Sequence, residues 1–106
     1  MSASPLMSGV PELLVLRLLA AREMYGYELA QAIREATRQA ISLGEGVLYP
    51  ALHVLERRGL LRTRRRLVSG RTRVYYALTP SGRRRLEELS AEWRRIAAGV
   101  EAVMAM

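Results

Sequence analysis

Apolar positions crowd the start of the chain. After Pro11 come Leu13, Leu14, Leu16, Leu18 and Leu19, with only Arg17 interrupting. A helix apolar on most sides predicts burial, and proline suits its first position. Tyr25-Gly26-Tyr27 breaks this pattern and opens a second helix, with Leu29, Ala30 and Ile33 on one stripe and packing as the expected role of Tyr27. Ser42-Leu43-Gly44 makes a short connection to a third helix from about Glu45 to Arg58. Its core stripe is Leu48, Leu52 and Leu55, at i, i+4 and i+7. Gly46, Pro50, His53 and Arg57 fall on the opposite side, with Tyr49 at the edge. Gly59 reads as its C-terminal cap. Helices joined by brief turns in this order are the material of a helix-turn-helix.

The periodicity then changes. Leu61 to Val68 and Arg71 to Leu78 are β-compatible runs around Ser69-Gly70, the pattern of a hairpin with a two-residue turn. Thr79-Pro80 follows as an N-cap and a first-position proline. The last helix carries Leu86, Leu89, Trp93, Ile96, Val100 and Val103 at heptad spacing. Such a seam wants a partner, either the first helix or a second chain. The predicted class is mainly α with a small β-hairpin: a winged helix-turn-helix plus a C-terminal dimerisation helix. Residues 1–9 are expected to form an N-terminal arm, 10–79 the winged unit and 80–106 the final helix. Pro50 resists this pattern, because an interior proline costs on the order of 3 kcal/mol. Either the helix starts later than Glu45 or a distortion is tolerated there.

Composition sharpens the picture. Seventeen basic residues, all arginine, against ten glutamates give a net charge of +7. A small basic protein attracts polyanions and gains from counterion release on nucleic acid. Placement matters more than the total. Arg57, Arg58, Arg62, Arg64, Arg65, Arg66, Arg71 and Arg73 put eight arginines between 57 and 73 with no acid among them. Like charges so close repel, and a phosphate backbone resolves that repulsion. The tip flanks Arg65, Arg66, Arg71 and Arg73 reach furthest. A protein-docking winged helix needs an acidic partner to explain this cluster. RNA hides its major groove from a recognition helix.

Chemistry of other kinds finds little support. Absent cysteine removes disulfides, thiolate nucleophiles and most zinc sites. No nucleophile–base–acid set stands out, so no enzymatic activity, cofactor or metal is expected. Without a signal peptide or membrane-length apolar run, the expectation is a cytoplasmic protein without membrane contact.

The blocks Tyr25-Gly26-Tyr27-Glu28-Leu29, Leu48-Tyr49-Pro50-Ala51-Leu52-His53-Val54-Leu55-Glu56-Arg57-Arg58-Gly59-Leu60 and Tyr75-Tyr76-Ala77-Leu78-Thr79-Pro80-Ser81-Gly82 resemble the PadR family of bacterial transcriptional regulators. The likeness runs from about Val10 to Ile96, and its single last helix resembles the short subfamily. The family has a proline at this point of its recognition helix, which makes Pro50 intelligible. The resemblance implies homodimers that bind double-stranded operator DNA, usually as repressors at pseudo-palindromic sites, and release it when a small molecule binds. Val47 departs from the family, standing where many members carry threonine and removing a hydroxyl that could reach phosphate or base.

The candidate DNA-binding set is therefore Gly46, Tyr49, Pro50, His53, Arg57, Arg64, Arg65, Arg66, Arg71 and Arg73. Glycine permits close backbone approach and His53 can meet a base edge. Tyr49 either reaches phosphate or packs at the core edge. Glu45 suits the positive helix N-terminus. The candidate dimer seam is Leu86, Leu89, Trp93, Ile96, Val100 and Val103. Trp93 either packs in it or stacks on a small aromatic effector.

Overall fold

Proline near the start and an apolar run interrupted only by Arg17 produce the first helix, α1 (Val10–Ala21), which buries Val15, Leu16 and Leu19. The computed structural model describes residues 9–106, so the expected arm lies almost wholly outside the described residues. A two-residue strand, β1 (Met24–Tyr25), then leads directly into α2 (Gly26–Ala36). Tyr25 caps α2: its backbone N–H donates to the Glu28 carboxylate at 3.2 Å. The third helix, α3 (Glu45–Arg57), buries Leu48, Leu52 and Leu55, the stripe read from spacing. It begins at Glu45 despite Pro50. Pro50 cannot donate to the Gly46 carbonyl one turn back, but both residues are exposed, so water can satisfy that oxygen.

The end of α3 is closed by two backbone bonds. Leu60 N donates to Leu55 O at 3.0 Å and Gly59 N to Glu56 O at 2.9 Å, a Schellman motif. The hairpin follows as β2 (Leu61–Val68) and β3 (Arg71–Leu78), with the boundaries expected from the sequence. Ser69 and Gly70 both have positive φ, 52° and 79°, as a type I′ turn requires. The sheet is larger than the hairpin, however. β1 joins as a third, antiparallel strand in the order β1-β3-β2, pairing Met24 with Tyr76 and Tyr25 with Tyr75. Two residues are too few to show alternation, which is why the sequence hid this strand.

Thr79 caps the last helix, α4 (Pro80–Met104), by accepting a hydrogen bond from Gly82 N at 3.0 Å. Its hydroxyl also donates to Gly59 O at 2.7 Å, tying the start of α4 to the end of α3. Glu12 of α1 completes this junction, accepting from Arg58 at 3.4 Å and Arg85 at 3.2 Å. That partnership holds the Arg85 guanidinium even more firmly protonated than usual.

The core is one cluster drawn from the helices and the inner sheet face, including Leu16, Leu29, Ile33, Leu48, Leu52, Leu61 and Tyr76. The six-residue seam of α4 divides. Leu86 and Leu89 pack against this core, whereas Trp93, Ile96, Val100 and Val103 are exposed. Beyond Ser90 every residue but Ala97 is exposed, so more than half of α4 projects from the domain and stretches the molecule to 57 Å.

A candidate nucleic-acid interface

Two surfaces carry the residues singled out by the sequence. The first is the free side of α3. Gly46, Pro50, His53 and Arg57 are all exposed there, opposite the buried leucines. Val47 packs against the core instead, so the missing hydroxyl concerns a position at the base of the helix. Tyr49 is half-buried and leans on α2, its ring seated against Gly26. Gly26 leaves room for that ring; any side chain there would overlap it. In the structure Tyr49 therefore packs at the core edge. Tyr27 goes the other way: expected to pack in the core, it is 63% exposed. As the second residue of α2 it points outward beside Tyr25, with ring centroids 6.5 Å apart.

The second surface is the outer face of the sheet. Alternation sends Leu61 and Thr63 of β2 and Val74, Tyr76 and Leu78 of β3 inward. Arg65 and Leu67 share that parity near the tip, where both are exposed beyond the core. Arg62, Arg64, Arg66, Arg71 and Arg73 take the outward parity, together with Tyr25 and Tyr75. The register sets Arg64 opposite Tyr75 and Arg66 opposite Arg73.

Aromatic rings organise these charges. The guanidinium carbons of Arg64 and Arg66 lie 5.6 and 5.2 Å from the Tyr75 ring centroid. That of Arg73 lies 4.4 Å from the Tyr25 ring, and the two rings meet edge to face at 5.4 Å. Such contacts are worth about 0.5–1 kcal/mol each at exposed sites. They explain how Tyr75 is buried on an outward face: arginines and Tyr25 cover it. Ring contact restrains Arg66 and Arg73 while leaving their N–H groups without a carboxylate partner, so part of the ordering cost of binding an anion is already met.

Not every arginine of the cluster is free. Arg58 is held by Glu12, away from the hairpin. Arg64 is held by Glu23, its Nε donating to Oε1 at 2.9 Å and a terminal nitrogen to the second oxygen. The hydrogen bond from Arg64, reinforced by the charges of Arg64, Arg66 and Arg62, keeps the Glu23 carboxyl below its usual range. Among the described residues, Arg57, Arg62, Arg65, Arg66, Arg71 and Arg73 have no ion-pair partner. Reading the sequence missed Glu12 and Glu23, because both acids come from α1 and its exit, far along the chain. At the inner edge of the sheet, burial pushes the Tyr76 hydroxyl up, helped by Glu56 and Tyr49.

Three helices, a twisted hairpin and an arginine-lined outer face form a winged helix-turn-helix, and its relatives share both its pattern and its shape. The sequence pattern of the transcriptional regulator PadR-like family matches residues 15–88. The chain belongs to that family. This PadR-like protein is a DNA-binding transcriptional regulator rather than an enzyme, and regulators of the family are generally dimeric. It is 41% identical over 85 residues to the transcriptional regulator Rv3488 of Mycobacterium tuberculosis, covering 74% of this chain and 77% of that one. An uncharacterized protein of Lysinibacillus sphaericus is 32% identical over 97 residues, covering 91% and 89% of the two chains. A PadR family regulator from Clostridium difficile superposes with a TM-score of 0.79 at 34% identity, covering 91% of this chain and 99% of that one. A transcriptional regulator from Clostridium thermocellum reaches 0.86 at 28% identity, covering 92% and 96%. Among the described residues no three acidic, histidine or cysteine side chains gather as a metal site, and no helix is long and apolar enough to cross a membrane.

Proposed function

We propose that this PadR-like regulator acts as a homodimeric repressor that reads a pseudo-palindromic operator. In each protomer α3 enters the major groove, presenting Gly46, Pro50 and His53 to base edges and Arg57 to the backbone. The wing arginines Arg65, Arg66, Arg71 and Arg73 supply phosphate contacts. The observation that carries this reading is the outer sheet face, where unpaired guanidiniums are pre-ordered on tyrosine rings. A monomer gains nothing from concentrating repulsive charge on one hairpin; a polyanion does.

The projecting half of α4 supports the dimer. Trp93, Ile96, Val100 and Val103 are 51%, 45%, 55% and 65% exposed along one heptad stripe. Soluble monomers seldom keep such a stripe in water. Pairing with a second copy buries it and sets two recognition helices about one DNA turn, ~34 Å, apart. Trp93 then lines the space between protomers, where a planar aromatic effector can stack and change the helix spacing. Both roles proposed for Trp93, packing and effector contact, use the same ring.

The test is selection of host genomic fragments on the purified protein, followed by titration of the recovered duplex against a scrambled one. A marked preference for the recovered duplex, with steep salt dependence, supports the reading. Equal affinity for both, or binding insensitive to salt, contradicts it.

A further inference from the structure

The outer sheet face holds one feature that a phosphate-binding surface does not call for. Glu23 precedes β1, and its parity matches Tyr25, so its carboxylate lies on the arginine face. Since β3 stands between β1 and β2, Glu23 reaches across the central strand to Arg64. Among the described residues it is the only carboxylate paired with a hairpin arginine.

The geometry is two-pronged, with Nε and a terminal nitrogen of Arg64 on separate oxygens. That fork is one of the two paired-donor edges a guanidinium can offer to phosphate, so Arg64 cannot present it to both at once, and the carboxylate also offsets its charge. Arg66 and Arg73 differ. They rest on tyrosine faces without a carboxylate, and their edges stay open. The hydrogen bond from Arg64, with the charges around it, holds the Glu23 carboxyl below its usual range and so ionised in the physiological range, and the pairing is constant rather than a pH switch.

We propose that Glu23 is a built-in counterion that withholds Arg64 from the DNA backbone and so limits sequence-independent affinity. A regulator that must leave random DNA to find one site benefits from such a limit, because non-specific contacts compete with the operator. This inference rests on the DNA reading above and assigns Glu23 a tuning role within it.

The experiment titrates the full chain against a short mixed-sequence duplex at several salt concentrations. Wild type, Glu23→Gln, Arg64→Ala and the double variant are compared, with Glu35→Gln as a control for loss of one negative charge elsewhere. If one phosphate contact is released, Glu23→Gln steepens the slope of log K against log salt by about 0.9. Counterion release alone then tightens binding about 15-fold at 50 mM salt and about 4-fold at 200 mM. The gain must vanish in the Arg64→Ala background, and Glu35→Gln must not reproduce it. Unchanged or weaker binding by Glu23→Gln overturns the proposal while leaving DNA binding intact; weaker binding makes Glu23 a positioning residue for Arg64. A gain that survives Arg64→Ala also overturns it. A wild type with no salt dependence sinks the DNA reading itself. Arg64 is exposed and Glu23 half-buried, and melting curves check that the variants are folded, with Glu23→Ala as a second version of the change.

Discussion

Replacing Gly26 with alanine probes the joint between the two helices of the DNA-reading motif. A Cβ at this position lies 2.6 Å from Cζ and 2.7 Å from Cε1 of Tyr49, and nearer still to its hydroxyl. Ordinary carbon contacts sit at about 3.5–4 Å, so the ring must retreat by roughly 1 Å. Tyr49 is half-buried on α3, so part of that retreat passes to the helix carrying Pro50 and His53. Overpacking of this kind costs about 1–3 kcal/mol. Against it stands about 0.4–1 kcal/mol gained by stiffening the unfolded chain. The central net loss is about 1.3 kcal/mol, a fall of roughly 5–10 °C in melting temperature for a domain this size. Thermal melts at fixed protein concentration give the value, and Tyr49→Ala supplies the decisive background. There the overlap is gone, so Gly26→Ala becomes neutral or slightly stabilising. Equal costs in both backgrounds would refute the contact as the reason for glycine.

Three further outcomes follow from the interface. Replacing Arg65 and Arg73 with alanine weakens binding to every duplex and flattens the salt slope by about 0.9 per lost phosphate contact; unchanged slopes remove the wing from the interface. His53→Ala costs about 1–3 kcal/mol on the cognate site and leaves random DNA nearly unaffected, whereas equal losses on both make His53 a positioning contact only. A planar aromatic effector quenches Trp93 fluorescence saturably and weakens operator binding, and operator DNA weakens that compound by the same factor; quenching without reciprocity means an unspecific apolar crevice.

What the sequence disclosed depended on how local the determining interactions were. The hairpin was legible to the residue, because Ser69-Gly70 fixes the turn and the turn fixes the register. The leucine stripe of α3 and the Thr79-Pro80 cap were legible because 3.6-residue periodicity and capping act within a few positions. β1 was not, since Met24 and Tyr25 become a strand only when β3 arrives beside them. Tyr49 and Tyr27 illustrate the same limit at the candidate site. Which tyrosine packs and which faces water is decided by where α2 meets α3, a contact that neither helix encodes alone. The seam of α4 looked uniform along six positions, yet the domain's own core covers only Leu86 and Leu89. The arginine cluster was plain, but its division into paired and open members rests on Glu12 and Glu23, distant in the chain.

The central claim, a dimer built on α4 that presents two recognition helices to one operator, is tested most directly by Ile96→Glu. Ile96 is 45% exposed in the single chain and belongs to the projecting stripe, so the variant leaves the winged unit's core untouched. In a homodimer the same change places two unpaired carboxylates, one from each protomer, in a closed apolar seam, a cost that favours separation. Sedimentation of wild type and variant, alone and with operator duplex, reads assembly and binding together. The account predicts a wild-type dimer that binds the duplex as a dimer, and a variant that sediments as a folded monomer and has lost tight operator binding. An Ile96→Glu protein that remains fully dimeric and binds the operator as tightly as wild type contradicts it.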